Sequence, residues 1–218
     1  MSSHTVSVAA GEPPDVHHMD APTAYQSAKF GVWLFLATEL LLFGGLFCCF
    51  ALYHWMYFEE FHNASKNLDW RLGTVNTIVL LFSSFTAALA VDSAQHGNNK
   101  AVFKYAGISF VCGILFLGIK GIEYYGKYQH GYFPGTALFN SPDFTQEYKM
   151  YFGLYYCMTG LHALHVIIGM GLLAWVCKLA LKNRFSPKYY TPVEVSALYW
   201  HLVDLIWIYL FPLLYLVG

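Results

Sequence analysis

Long apolar runs separated by short polar segments dominate this chain and predict membrane-spanning helices. A helix rises about 1.5 Å per residue, so about 20 mostly apolar residues cross the roughly 30 Å hydrocarbon core of a bilayer. Strands of a membrane barrel would be about 10 residues long and alternate in polarity, which these runs do not. Five runs meet the helical requirement: Gly31–Tyr53, Leu72–Val91, Val102–Ile122, Met150–Val176 and Val195–Val217. The predicted fold is an all-α bundle of five transmembrane helices.

Composition agrees with this prediction. Of the 218 residues, 57% are hydrophobic and only 11% are charged, whereas soluble domains carry about 25% charged residues. A soluble globule could not bury so much apolar surface, and a disordered chain would be more polar. The net charge of −1 gives no basic surface for nucleic acid, so we expect no nucleic-acid partner.

The loops and the N-terminus predict the orientation and the domain organisation. Lys and Arg are more numerous on the side of the N-terminus, with the densest group at Lys178–Lys188, which predicts a cytoplasmic N-terminus. Residues 1–30 are expected to form a polar cytoplasmic tail without the features of a signal peptide. Residues 31–218 form the transmembrane domain. Lys104 and Lys120 lie near the ends of the third span, where they are expected to extend towards the membrane surface.

Five charged or histidine residues lie deep within the predicted spans, away from their ends. A charge at membrane depth costs at least about 2.5–3.5 kcal/mol, so such residues usually have a partner and a task. The five are Glu39, His162, His165, His201 and Asp204. The helical rise places all of them except His162 in one layer, roughly 7–15 Å from the cytoplasmic edge. Glu123 lies nearer the opposite boundary.

The spacing of these residues leaves three interpretations open. His162 and His165 are three residues apart and share a helical face, as do His201 and Asp204. Two histidines with two carboxylates could bind a metal, although the Glu-x-x-His pattern of di-iron helices is missing. The same residues could handle protons or contact lipid. They could also form purely structural hydrogen bonds between helices.

Several segments resemble subunit III of haem–copper terminal oxidases, the cytochrome c oxidase type, in its five-helix bacterial form. They occur in the family's order and cover essentially the whole membrane portion. Gly-Leu-His-Ala-Leu-His-Val and Trp-His-Leu-Val-Asp-Leu-Ile-Trp are the most specific of them. The segments are Gly31–Glu39 with Phe43-Gly44-Gly45, Asn76–Leu81, Glu123–Tyr125, Gly160–Gly169 and Tyr199–Trp207.

The resemblance implies an accessory, non-catalytic subunit of a respiratory oxidase in a bacterial cell membrane. Such a subunit binds no haem, copper or other metal, because these belong to partner subunits. Subunit I, which reduces oxygen and pumps protons, is the expected main contact, with subunit II in the same complex and a larger respiratory supercomplex beyond it. The family binds phospholipids in a cleft between its helices, supports proton uptake and protects the oxidase during turnover.

The resemblance also carries over to individual residues. The membrane glutamate of the family's first shared helix maps onto Glu39, its histidines onto His162 and His165, and its final pair onto His201 and Asp204. Glu123 matches the family's Glu-Tyr-Tyr position. We expect Glu39 and His165 to be partners between helices. Candidates for lipid contact are Lys29, Trp33 and His201.

Other functions remain as alternatives. The Thr38-Glu39 pair favours the cytochrome c branch, whereas related quinol oxidases carry Ser-Asp there. A quinol oxidase subunit or a homologue associated with nitric oxide reductase is the nearest alternative. An independent transporter would usually show internal repeats and discontinuous helices, and neither is evident in the sequence. A di-metal membrane enzyme would be exposed by metal analysis of the chain.

Overall fold

The computed structural model describes residues 21–136, 139, 141 and 145–216, and these are almost entirely helical. Five of its helices are long and apolar enough to cross a membrane, which confirms the predicted all-α fold. The helices are α1 (Ala21–Met56), α2 (Phe58–Ser65), α3 (Trp70–Gln95), α4 (Asn99–Gln129), α5 (Gln146–Leu181) and α6 (Thr191–Tyr215). Most of the predicted N-terminal tail, residues 1–20, lies outside the described residues.

Two features of the helices differ from the prediction. Helix α1 begins at Ala21 and not at Gly31, so the last third of the predicted tail is helical. Helix α2 was not predicted, because its eight residues are too few to span a bilayer and its first turn is acidic. Its Phe61 and Ala64 are completely buried, and this face packs against α5. The short helix therefore covers one end of α5.

Helices α3, α4, α5 and α6 form an antiparallel four-helix bundle in which each contacts the next around the ring. Helix α1 packs outside this ring, against α5 and α6. We call the end of the bundle where α1, α4 and α6 begin the inner end, because it is the predicted cytoplasmic side. The opposite end, which carries α2, is the outer end.

Trp200 of α6 packs at a point where the helices of the bundle approach closely. A Cβ atom added to Gly169 of α5 would lie 2.7 Å from Cε3 of Trp200, and one added to Gly113 of α4 would lie 3.0 Å from its Cη2. The Trp200 indole donates a hydrogen bond of 2.9 Å to Ser83 Oγ on α3. One fully buried side chain therefore contacts the other three helices of the ring. Lipid tails are as apolar as the helices, so close packing of this kind holds such bundles together.

Candidate functional site

Glu39 and His165, which the sequence predicts to be partners, meet between α1 and α5. His165 Nε2 lies 2.9 Å from Glu39 Oε2. The other ring nitrogen, Nδ1, lies 2.8 Å from the Leu161 carbonyl oxygen. A carbonyl only accepts, so Nδ1 carries a hydrogen. The contact between the ring and the carboxyl group then requires one further proton, shared by His165 and Glu39.

The surroundings of this pair are aromatic. The Phe43 ring meets the His165 ring edge-on with centroids 5.3 Å apart, and the Tyr199 ring stacks on it at 6.5 Å. The Glu39 side chain retains 16% of its exposure and His165 retains 8%. The pair is thus a polar contact between α1 and the bundle, largely shielded from its surroundings. A contact of this kind is stronger than in water because few competing water molecules reach it.

His201 and Asp204 do not join this pair. His201 Nδ1 lies 2.7 Å from Ser84 Oγ, which links α6 to α3. Asp204 is 2% exposed, and neither of its oxygens makes a hydrogen bond of normal geometry to a described residue.

His162 lies apart from both groups, in the middle of the four-helix bundle. Its ring is completely buried and contacts the rings of Phe116 and Trp207, with centroid distances of 5.4 and 5.3 Å. Three residues along a helix correspond to about 300° of rotation, so the two side chains point about 60° apart. This angle is enough to turn His165 towards α1 and His162 towards α4 and α6. The structure therefore divides the five predicted polar residues among three places.

The largest group of buried charges lies near the outer end and was not predicted. Lys120 Nζ donates to Glu123 Oε2 at 2.9 Å and to the Tyr215 hydroxyl at 2.7 Å. The hydroxyls of Tyr155 and Tyr215 donate to Glu123 Oε1 at 2.9 and 2.6 Å. Lys127 Nζ lies 3.8 Å from the same oxygen. We call these five residues the outer ion cluster.

The outer ion cluster corrects the expectation for Lys120. This side chain does not extend towards the membrane surface, because its ammonium group is held between Glu123 and the Trp207 ring, 4.8 Å from the ring centroid. The exposed fraction of Lys120 and Glu123 is 6% each. The three- and four-residue spacings of Lys120, Glu123 and Lys127 place them on one helical face, and this signal in the sequence could have revealed the cluster.

Lys29, a predicted lipid contact, is paired with another residue of the chain at the inner end. Its Nζ lies 2.8 Å from Glu194 Oε1, and the Tyr25 hydroxyl donates to Glu194 Oε2 at 2.7 Å. The Lys29 side chain keeps 42% of its exposure, and Trp33 on the next turn is 56% exposed. This ion pair is a second polar contact of α1 with the bundle, and it joins α1 to α6.

No three His, Cys, Asp or Glu side chains come together in a group that could hold a metal ion within the part of the chain that the structure describes. All five cysteines are free. The absence of a bound metal in the natural protein stays a prediction from the resemblance.

Comparison with known proteins shows the family. The family model for cytochrome c oxidase subunit III matches residues 14–218. Cytochrome c oxidase subunit 3 of Corynebacterium diphtheriae is 31% identical over 196 residues, which are 86% of each chain. The corresponding protein of Thermostichus vulcanus is 32% identical over 187 residues, 85% of each chain.

A further relative belongs to an oxidase with a different electron donor in its name. Quinol oxidase subunit 3 of Bacillus subtilis is 30% identical over 209 residues, which are 91% of this chain and 94% of the relative. The sequence identities to cytochrome c oxidase subunits and to this quinol oxidase subunit are nearly equal, so they do not show to which kind of oxidase the chain belongs. The family match over residues 14–218 extends through all five membrane-spanning helices and every polar position described above. The chain belongs to the cytochrome c oxidase subunit III family.

Proposed function

We propose that this chain is an accessory, non-catalytic subunit of a respiratory cytochrome c oxidase. In this proposal it contacts subunit I, where oxygen reduction and proton pumping occur, and lies in one complex with subunit II. It binds no haem or copper itself. The observation that carries the proposal is the family match over residues 14–218, which contains all five spanning helices.

Helix α1 supplies a surface for such a partner. Its large exposed side chains include Leu34, Leu41, Leu52 and Trp55, which lie on faces that do not pack against α5 or α6. The Glu39–His165 pair and the Lys29–Glu194 pair fix the position of α1 on the bundle. We infer that subunit I and bound lipid cover much of this apolar surface.

Purification through this chain in a mild detergent tests the proposal. The expected result is a complex that contains haem, with subunits I and II and oxygen consumption driven by reduced cytochrome c. Isolation without any haem-bearing partner would contradict the proposal. Oxidation of quinol but not of cytochrome c by the complex would instead support the alternative, a quinol oxidase, which the similarity to the Bacillus subtilis protein allows.

We further propose that phospholipid head groups bind at the inner end, near Lys29, Trp33 and His201. Anionic head groups are attracted by basic residues between helices, and exposed tryptophans favour the interface. Lys29 and Trp33 lie on adjacent turns of α1, where Trp33 is exposed and Lys29 is partly exposed, while His201 offers its second ring nitrogen. The combined change Lys29→Ala and Trp33→Ala should reduce the phospholipid that co-purifies. The exposed Lys66→Ala at the outer end is the control, and equal lipid in both complexes would contradict this site.

A role in proton uptake and in protection during turnover belongs to the same proposal. Glu39 and His165 form a protonatable pair at membrane depth. Glu39→Gln should slow proton uptake or shorten the active lifetime of the oxidase while haem content stays unchanged. Thr38→Val is the matched control, because the Thr38 hydroxyl donates only to the Phe35 carbonyl of its own helix in the structure. Unchanged proton uptake and lifetime in Glu39→Gln would contradict this role.

A further inference from the structure

The centre of the four-helix bundle contains a layer with one residue from each helix. Phe116 of α4, His162 of α5 and Trp207 of α6 meet there, and the Phe116 and Trp207 ring centroids are 4.8 Å apart. Asn76 of α3 precedes Thr77, whose hydroxyl accepts a hydrogen bond of 3.0 Å from the Trp207 indole. Asn76, Phe116, His162 and Trp207 are all completely buried.

Two of these residues are polar and have no bonding partner among the described residues. Both ring nitrogens of His162 and both polar side-chain atoms of Asn76, Oδ1 and Nδ2, lack a hydrogen bond to a described residue. A buried polar atom without a partner bears the full loss of its hydration, so native structures almost always satisfy such atoms with protein or ordered water. Four unsatisfied atoms on facing helices in one layer therefore need an explanation.

The neighbouring side chains do not provide the missing bonds. Phe116 has no polar atom, and the Trp207 N–H already donates to Thr77. The Thr77 hydroxyl in turn donates to the Gly73 carbonyl at 2.9 Å. The Trp207 N–H and the Thr77 hydroxyl hydrogen are therefore already used in other hydrogen bonds.

We propose that Asn76 and His162 bind one or more ordered water molecules in the middle of the bundle. Buried water typically makes two to four hydrogen bonds to polar groups that the protein leaves unsatisfied. A neutral imidazole provides one donor and one acceptor, and an amide provides both kinds of group. Water between α3 and α5 would join the two helices that lie diagonally across the ring.

Asp204 extends the site towards the inner end. It lies one turn before Trp207 on α6, and its two oxygens also lack a hydrogen bond of normal geometry to a described residue. A carboxyl group is a strong acceptor and its burial requires polar partners. In this proposal, ordered water also binds the Asp204 carboxyl group, one turn of α6 from the layer of Asn76 and His162.

A cryo-electron microscopy map tests the proposal directly. The sample is the natural assembly purified through this chain into lipid nanodiscs, at a resolution that shows ordered water elsewhere in the map. The expected result is a separate density peak about 2.6–3.2 Å from a His162 nitrogen and from the Asn76 amide. A direct His162–Asn76 bond, or a layer without such density, would overturn the proposal.

Paired substitutions test whether the two residues share this water. His162→Phe and Asn76→Leu should each lower the melting temperature of the assembly, by about 2–4 °C, and the double variant should lose less than the sum of the two losses. Losses that add fully would overturn the shared site. Thr38→Val serves as the control for a polar group outside the bundle. The map is recorded on the natural chain, so it decides the matter even where a variant fails to assemble.

Discussion

Trp200 shows at the scale of single residues why only some glycines of this chain matter for packing. Glycines recur in the first four predicted spans and all of them are candidates for close helix contact, but Gly113 and Gly169 are the two that border Trp200. A Cβ at Gly171, two residues further along α5, would meet no heavy atom within 4 Å. The sequence alone cannot distinguish these glycines, because what matters is whether each one lies on the helix face that packs against Trp200.

Gly169→Ala should therefore destabilise the bundle, while Gly171→Ala should not. The methyl group added at position 169 would overlap the fully buried Trp200 ring, and overpacking of this kind costs typically about 1–3 kcal/mol. Thermal unfolding of the purified complex, followed by loss of haem absorbance or by aggregation, measures the difference. Equal melting temperatures for the two variants would show that Trp200 can move aside.

The outer ion cluster provides a second prediction at this scale. Lys120→Met leaves Glu123 buried without its closest cation, and Glu123→Gln leaves two buried lysines without their carboxylate. Loss of one partner of a buried ion pair costs about 3–5 kcal/mol, whereas loss of both is often much cheaper. Each single variant should reduce the yield and melting temperature of the complex strongly, and the double variant should recover part of the loss.

The control for this cycle is Glu59→Gln, which neutralises an exposed carboxylate in α2 at the same end of the bundle. It should leave the melting temperature within error of the natural protein. A double variant as unstable as the sum of the singles would show that Lys120 and Glu123 act independently. That result would contradict the hydrogen bonds of 2.9 and 2.7 Å that join Lys120 to Glu123 and Tyr215.

The pairing of individual polar residues was only partly predictable. A common depth was enough to suggest Glu39 and His165 as partners, because both lie midway along helices that neighbour each other. Depth does not reveal the rotation of a helix, so it could not separate His162 from His165. Nor could it reveal the burial of Lys120, which depends on Tyr155 and Tyr215 reaching α4 from two other helices.

At the scale of whole elements, α1 is attached to the bundle differently from the other long helices. The other four surround a continuous core, whereas α1 lies on the outside of α5 and α6. Its two polar contacts lie at different heights, Lys29 with Glu194 near the inner end and Glu39 with His165 midway. Loss of either contact should therefore loosen a different part of α1.

Hydrogen–deuterium exchange of the purified complex measures this effect. Glu194→Ala should raise exchange in the first turns of α1, and Glu39→Leu should raise it around the middle of the helix. Thr38→Val should change neither, because the Thr38 hydroxyl bonds within its own turn. Unchanged exchange in both test variants would mean that apolar packing of α1 alone, for example by Phe43 and Phe50, fixes its position.

The elements themselves were largely predictable, with two informative exceptions. Five long apolar runs gave five spanning helices, because the length of a run and its lack of charge suffice for that inference. The first turns of α1, from Ala21, are held by hydrogen bonds from Tyr25 and Lys29 to Glu194. Glu194 lies far away in the sequence, so these contacts could not be predicted. Helix α2 depends on the contacts of Phe61 with α1 and α5, where its ring meets Phe50 and Tyr151.

At the scale of the whole molecule, the two ends of the bundle present a matched pair of surface positions. His96 and His130 are exposed residues that directly follow α3 and α4. Each ring nitrogen Nδ1 lies close to a backbone carbonyl one turn earlier, at 2.8 Å from Asp92 O and 2.7 Å from Gly126 O. His96 also lies 3.7 Å from Asp92 Oδ1. Both positions are exposed helix ends on opposite sides of the bundle, so they can report which end faces the cytoplasm.

Labelling at these two positions tests the predicted orientation. In a background where the five native cysteines are replaced by alanine, a membrane-impermeant maleimide should label His130→Cys in intact cells, because the outer end is predicted to be external. It should label His96→Cys only after the cells are opened. The opposite pattern would reverse the orientation that the Lys and Arg distribution indicates. Equal labelling of both positions in intact cells would contradict a bundle that separates its two ends across the membrane. Labelling of His96→Cys in opened cells shows that its thiol can react, so a lack of labelling in intact cells reports access and not the reactivity of the thiol.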